Sequence, residues 1–502
     1  MNYTIRHRLL VLLAILCCAI VPTRGDDPPR IDVILWFDTE DYILPASDDA
    51  ALRLATWLTD QQVKATFKVV GEKARTLEQR GRTDVITALK KHEIGYHSNW
   101  HSVPPTPAQY LDRCDWHEGI AEFNRREKPG YDDITRIFGT APTCYGQPGS
   151  SWGPQSHPAL HSWGMRIYLD AGQHLNVDGK PFWYGGLLNF YRLTQQIRTG
   201  LAYPHELEQA RIRFLQARDQ LRAEGGGVVS IVYHPCEFIH QEFWDGVNFK
   251  HGANPPRDQW KLPRMKSEQA IKQAYDNFEQ YILFMKKFPE VRFVTATEAA
   301  AKYVDRTHQH EWTIAEIKAL LNDATIRNWH AAGIHWLKTP HGYLSAAELF
   351  WLATQAMTAQ PASVTRWKLP ELIQGPAREP REPVLKSMSA FSLEEMRRAS
   401  LQVKEYLQAH QQIPSEVWLG SQAMTPEAYL LGIACHLDNI PGISASPVGT
   451  KQVVRLHAQD SVSPDVPQLW RWVIFPPGFQ APNLMAHAKR QAWTLKPGTR
   501  QP

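Results

Sequence analysis

Residues 31–37, IDVILWF, narrow the choice of fold more than any other stretch, because they form an apolar, β-branched run that halts at once on acidic residues. A run without polar alternation suits a strand covered on both faces, as strands of parallel sheets are. Residues 48–60 then place Ala51, Leu52, Leu54, Ala55, Trp57 and Leu58 on one broad helical face, and residues 63–70 (VKATFKVV) read as a second strand ended by Gly71. A helix over 84–91 precedes a short strand over 94–96. Strand, helix, strand, helix, strand is the βαβ rhythm of a parallel sheet with right-handed crossovers. Further strands are expected over 143–145, 165–169, 228–233 and 291–295, with an amphipathic helix over 267–287 and a closing helix over 296–304. The fold class implied is α/β.

In parallel sheets and barrels the chemistry collects at the carboxyl ends of the strands, and polar residues stand at three of these ends. The first strand runs into Asp38, Thr39, Glu40 and Asp41. Carboxylates placed there are costly unless a cation or a proton compensates them, although the run also suits a helix N-cap. On a continuing strand, residues 38 and 40 share one face. The third strand runs into His97 and His101, four residues apart. If the chain coils into one helical turn there, both imidazoles reach one metal ion. Neutral imidazole suits zinc, cobalt or nickel, and a catalytic zinc takes three protein ligands, so a third must come from elsewhere. The strand over 228–233 ends on His234 and Pro235.

A chain of 502 residues is long enough for two or three domains, and 43% hydrophobic with 21% charged residues describes a globular protein. The net charge of +4 is unclustered and gives no reason to expect a nucleic-acid partner. Residues 1–25 read as a secretory signal peptide: Arg6, His7 and Arg8 precede an apolar run over 9–21, then Pro22 and small residues to Gly25. That implies a secreted, periplasmic or cell-envelope protein with no stable membrane span after cleavage. Retention of the run as an anchor is the competing reading, and a lipoprotein site at Cys17 or Cys18 lacks the small preceding residue. Cys114, Cys144, Cys236 and Cys435 make no disulfide framework and no structural zinc pair, leaving room for one bridge.

Four motifs, FDTED at 37–41, KATFKVVG at 64–71, HEIGYHSNWH at 92–101 and IVYHP at 231–235, together resemble the polysaccharide deacetylase family. This is the NodB-homology fold of carbohydrate esterase family 4, and the resemblance covers about residues 30–304. It implies a distorted (β/α) barrel, usually of seven strands, with one divalent metal ion, zinc being expected and cobalt or nickel the alternatives. It makes Asp38 the catalytic base, His234 the catalytic acid, and Glu40, His97 and His101 the metal ligands, with Asp41 a substitute for Glu40. It also implies hydrolysis of N-acetyl groups on an amino-sugar polymer such as peptidoglycan or exopolysaccharide. Two departures stand out. Many members carry an arginine in an R-x-P motif that orients the base, where this chain has Gly146, Gln147 and Pro148; Gln147 offers hydrogen bonds but no charge. Asp170 lies roughly where the family places an aspartate that tunes the catalytic histidine.

Sugars stack their C–H faces on indole rings, so Trp152 and Trp244, in loop-like sequence, join Gln147 as candidate substrate contacts. Trp36 and Trp100 also lie near these loops, with core packing the default for Trp36. Two other functions fit the same residues: an amidohydrolase cutting another non-peptide C–N bond, and a non-catalytic cell-wall-binding protein.

From about residue 306 the βαβ rhythm stops. Thr313 with Glu316, and Ser392 with Glu395, fit the capping box that starts a helix. Each is followed by a tryptophan–leucine pair, Trp336-Leu337 and Trp418-Leu419. The expected division is therefore a barrel over 26–305, helical repeats over 306–369 and 386–502 with a tail, and a proline-rich linker over 370–385. Gln412, Ile413 and Pro414 ahead of Val417-Trp418-Leu419 resemble a pseudomurein-binding repeat, which implies a module that grips wall polymer and concentrates substrate at the barrel. The alternative is two helical hairpins that pack on the barrel.

Overall fold

The computed structural model describes residues 29–359, 366–381, 392–438 and 455–501; the expected signal peptide and part of the expected linker lie outside them. The ten strands of the barrel region are β1 (Ile31–Thr39), β2 (Thr66–Val69), β3 (Glu93–Tyr96), β4 (Cys144–Tyr145), β5 (Ile167–Asp170), β6 (Phe182–Tyr184), β7 (Leu187–Tyr191), β8 (Gln196–Ile197), β9 (Gly227–Tyr233) and β10 (Val291–Val294). They form a curled sheet in the order β6-β7-β5-β4-β3-β2-β1-β9-β8, with β10 also paired to β1. Every pairing among them is parallel except β6 with β7. The fold is thus α/β, a barrel-like sheet whose strand path stays open at β8.

β1 is buried along its whole length, which explains its apolar run. Ile31, Val33, Leu35 and Phe37 enter one hydrophobic cluster, while Ile34 and Trp36 enter the cluster on the other face. Phe37 stacks on Phe67 with ring centroids 4.7 Å apart and meets Phe278 edge-on at 6.0 Å. Burying each such side chain contributes about 1.5–3 kcal/mol.

Several features escaped the sequence pattern, helix Pro204–Ala223 among them, and three bear on the site or the tail. Trp116–Phe138 is a helix of 23 residues, started by an Asp115/Glu118 capping box and ended by left-handed Gly139. Pro129 and Gly130 interrupt its periodicity, and Gly130 is required because an added Cβ would lie 2.8 Å from the Tyr96 hydroxyl and from Asn99 Oδ1. The antiparallel β6–β7 hairpin is the second feature. The third is the return of the tail, where Lys496–Pro497 adds an eleventh strand by pairing antiparallel with β6.

Both expected capping boxes form, opening helices Ile314–Leu321 and Leu393–His410. Each repeat also holds a short hairpin, Leu337–Thr339 with Gly342–Leu344 and Val417–Leu419 with Gln422–Met424. The line drawn at residue 305 is crossed by the tail, since Arg500 reaches Asp32 at 3.0 Å and Trp472 reaches the strand-end residues described below. The bridge left open by the sequence does not form: Cys114, Cys144, Cys236 and Cys435 are free thiols. Among the described residues, no helix is long and apolar enough to cross a membrane.

Candidate metal centre at the strand ends

Strand register brings the site together. Asp38 on β1 pairs with Lys68 on β2, Phe37 pairs with Tyr233 just before His234, and Val69 pairs with Tyr96 just before His97. Glu40, His97 and His101 consequently converge, with ligand atoms within 4.8 Å of one another. Glu40 Oε2 lies 2.9 Å from His101 Nε2 and 3.2 Å from His97 Nε2. Its other oxygen accepts the indole N–H of Trp244 at 2.8 Å, so the carboxylate is held by a second layer of contacts. Asp38 and His234 face each other beside this cluster, Oδ2 to Nε2, at 3.6 Å.

The protonation pattern suits a cation. His97 Nδ1 is 3.0 Å from the Gly146 carbonyl, which can only accept, so this nitrogen carries the proton. Burial lowers the His97 pKa, with Asp38 opposing, and favours the neutral ring. Nε2 then turns a lone pair toward a carboxylate oxygen, a meeting of two acceptors that calls for a positive charge between them. His101 Nε2 is likewise buried without a hydrogen bond despite its closeness to Glu40. Two imidazoles and a carboxylate form a donor set that fits a divalent ion such as zinc.

Asp38 has a cation of its own. The Lys68 ammonium, fully buried, stands 2.9 Å from Asp38 Oδ1, 3.0 Å from the Leu169 carbonyl and 3.3 Å from Asp170 Oδ2, over the face of Trp36. Burial disfavours the Asp38 charge, but His97, Lys68 and His234 together hold its carboxyl below the ordinary range. One ammonium does not hold two buried carboxylates equally. Asp170 is the loser, pushed by burial up to about 7. Lys68 fills the space beside residue 146, where an added Cβ would sit 2.0 Å from its Nζ. A glycine at the first position of Gly146-Gln147-Pro148 and a lysine on β2 therefore go together, and the positive charge absent from that loop is delivered by the neighbouring strand.

His234 is served by a different acid from the one expected. Its Nδ1 is 3.0 Å from Glu237 Oε1, and its backbone N–H donates to Glu237 Oε2 at 3.3 Å, within the tight turn Pro235–Phe238. Burial works against the imidazolium, but Glu237 and Glu40 outweigh it and raise the pKa to about 9. Arg198 steadies Glu237 from the other side at 2.5 Å. A cavity of about 390 Å³, lined by Arg198, Glu237, Phe243 and Lys266 among others, adjoins this pair.

Several expectations need correction. The two histidines do not ride one helical turn; Ser98 and His101 adopt left-handed backbone, with φ of 66° and 54°, and the chain bends instead. Asp170 belongs to Lys68 and not to His234. Asp41 is turned away from the histidine pair, its Oδ1 accepting the backbone N–H of Ile43 and Leu44. Trp152 is no cleft wall: it is 1% exposed and stacks on His174 at 5.0 Å. Trp244 is fully buried and spends its N–H on Glu40, so it braces the cluster and offers no face to a sugar. Gln147 is buried and accepts from the Tyr168 hydroxyl at 2.7 Å. The exposed rim aromatic is Trp100, 40% exposed. Trp472, from the tail, was not foreseen at all. Its ring meets His101 edge-on at 5.1 Å, and its N–H donates to Asp245 at 2.6 Å. It also crosses Gly149, where a Cβ would lie 2.2 Å from the indole and where φ is +52°.

No protein-family model matches the chain, and no curated protein matches it. Among solved structures, a protein described as a polysaccharide deacetylase from Mycobacterium smegmatis is similar at 14% identity with a TM-score of 0.37, covering 55% of this chain and 92% of its own. A 4-alpha-glucanotransferase from Thermococcus litoralis gives 11% and 0.36 over 55% of this chain and 41% of that one. The PuuE allantoinase gives 15% and 0.34 over 55% and 94%. Three different activities at similar scores do not choose among themselves, and the functional reading rests on the residues.

Proposed function

We propose that the protein is a metal-dependent hydrolase that removes N-acetyl groups from an amino-sugar polymer, peptidoglycan or an exopolysaccharide, in the cell envelope or outside the cell. The observation that carries this reading is a carboxylate held charged and an imidazole held protonated, Asp38 and His234, 3.6 Å apart and beside Glu40, His97 and His101. Glu40, His97 and His101 would hold a divalent ion, which when bound would supply Lewis-acid chemistry, lowering the pKa of water and polarising a carbonyl. Asp38 takes the proton of the attacking water, kept as a carboxylate by Lys68. His234 hands its proton to the departing sugar nitrogen, which leaves poorly as an anion. Glu237 keeps that imidazole charged until the transfer. Gly146, through its carbonyl, sets the tautomer of His97. Trp472 packs its indole edge-on against His101.

Acetate release from a panel of acetylated glycans, with and without chelator, tests the proposal. Asp38→Asn should reduce turnover by about 100 to 10,000-fold while keeping the metal. Equal acetate release by the parent and Asp38→Asn would sink it. Release of ammonia or urea from another substrate, without acetate, would move the reading to an amidohydrolase. Retention of the full chain on insoluble peptidoglycan tests whether the two repeats grip wall glycan.

A further inference from the structure

The segment from His97 to His101 is an awkward piece of backbone to hold. Ser98 and His101 are both left-handed without being glycine, a conformation that persists only where the surroundings fix it. His97 N–H joins β2 through the Val69 carbonyl at 3.0 Å, and His101 N–H reaches back to the Ser98 hydroxyl at 3.0 Å. The middle of the segment is fixed from outside, by two helices that approach it from different sides.

Asn99, midway between the two imidazoles, is where both helices take hold. One is helix Gly71–Gln79, whose first N–H groups, those of Gly71 and Glu72, donate to the Ser98 and Asn99 carbonyls at 2.9 Å each. The other is helix Trp116–Phe138, which carries Glu127. Glu127 Oε2 accepts the Asn99 backbone N–H at 2.7 Å and the Tyr96 hydroxyl at 3.2 Å, and its Oε1 accepts the Tyr110 hydroxyl at 3.2 Å. The Asn99 side chain repeats the pattern, its Oδ1 accepting from Arg75 at 2.9 Å and its Nδ2 donating to the Arg126 carbonyl at 2.8 Å. The backbone N–H and C=O of Asn99 and both ends of its amide are thus engaged, all four by these helices.

Glu127 is 5% exposed, and a carboxylate so deep is costly where an apolar side chain would fill the same space. What it adds is an acceptor for an N–H that would otherwise be buried without a partner. The helices come close enough for this because Gly71 meets Gly130, one turn beyond Glu127: a Cβ on Gly71 would lie 2.7 Å from Gly130 Cα. Two glycines set the approach and one carboxylate sets the position. Tyr96 and Asn99 flank His97 and its left-handed neighbour, so both of the groups held by Glu127 Oε2 bear on where the imidazoles point. The rings end with centroids 4.9 Å apart and both Nε2 atoms beside Glu40 Oε2.

We infer that Glu127 is a positioning residue for the metal centre: by holding the Asn99 N–H and the Tyr96 hydroxyl it keeps His97 and His101 at the spacing that brings both Nε2 atoms to Glu40. The inference rests on reading Glu40, His97 and His101 as metal ligands, so its test has one readout that needs zinc and one that does not. Competition with a coloured chelator measures the zinc affinity of the full chain. Glu127→Met, similar in length but without an acceptor, should lower it about 10 to 100-fold. Glu127→Gln, which keeps an oxygen for the Asn99 N–H, should stay close to the parent. Glu127→Asp, which keeps the charge but draws the acceptor back, should also lose affinity and guards against misfolding of Glu127→Met. In the metal-free chain, backbone hydrogen exchange should quicken across 97–101 in Glu127→Met and stay at the parent's rate along β1. Zinc affinity unchanged in both Glu127→Met and Glu127→Asp overturns the inference, and so does quickening that spreads evenly to β1, since that is what a loss of general packing gives. A parent chain that binds no zinc overturns the metal centre instead, and exchange across 97–101 then decides alone whether Glu127 holds the histidine turn.

Discussion

Asp38 and Glu40 stand two residues apart, one in the last residues of β1 and one just past its end, both buried, yet their surroundings differ in kind. Asp38 meets an ammonium, Lys68, at 2.9 Å. Glu40 meets two imidazoles, at 2.9 and 3.2 Å, and the indole N–H of Trp244, with no ammonium beside it. Glu348, held by Lys496 at 2.6 Å, repeats the first arrangement. A buried carboxylate paired with lysine is already neutralised and serves as a base or a brace. One that faces imidazole nitrogens and no ammonium has its charge still open, and a cation completes it. Which carboxylates can bind metal is thus decided by where the lysines are.

The sharpest way to break this contrast is at the imidazoles. His97→Ala should abolish both zinc retention at the strand-end centre and acetate release, measured by metal content and product assay. A variant that kept its metal would make Glu40 an ordinary buried acid. Lys68→Met is expected next in size: a fall in kcat of about 100 to 1,000-fold with zinc retained, because Asp38 loses the partner that keeps it a base. Restoration of most of that activity by Lys68→Arg would separate loss of charge from loss of packing.

Lys496→Met should leave acetate release per folded molecule unchanged but lower stability by about 3 kcal/mol, since buried Glu348 and half-buried Asp305 then lack that ammonium. Denaturant unfolding reads this directly, and no change would mean that Lys496 does not close that cluster. Glu237→Gln bears on pH. His234 has its pKa raised to about 9, so its protonated form, and the stability that its ion pair adds, is fully present below about 6.5 and lost as pH rises through 9. In the variant the alkaline limb of the kcat profile should move down toward about 6.5, the ordinary histidine value. The smallest effect is expected for Trp472→Ala, a severalfold rise in KM with kcat less affected, because the side chain covers the site without touching the reacting pair.

Much of the fold could be read from the chain alone, since β1, β2, β3 and β9 announce themselves by composition and end on the residues that matter. The α/β class follows from that rhythm. Lys68 lay in plain view within KATFKVVG, but its meaning depends on the register that sets it beside Asp38, which a single strand does not reveal. Glu237 follows His234 by three residues, and only the tight turn at Pro235 folds it back. Trp152 and Trp244 sit among glycines, prolines and polar residues, the composition of a loop, and are buried because rings from distant segments stack or brace there. Helix Trp116–Phe138 was hidden by the proline and glycine that let it pass close to the histidine turn.

One consequence belongs to the tail. The chain is made from its first residue to its last, so Asp38, His97 and His234 emerge long before Trp472 and the strand Lys496–Pro497. Through that interval the edge at β6 lacks its final neighbour and the histidines lack their roof. A nascent or clipped copy therefore carries Asp38, His97 and His234 without the indole that packs on His101 and without the strand that closes the edge at β6.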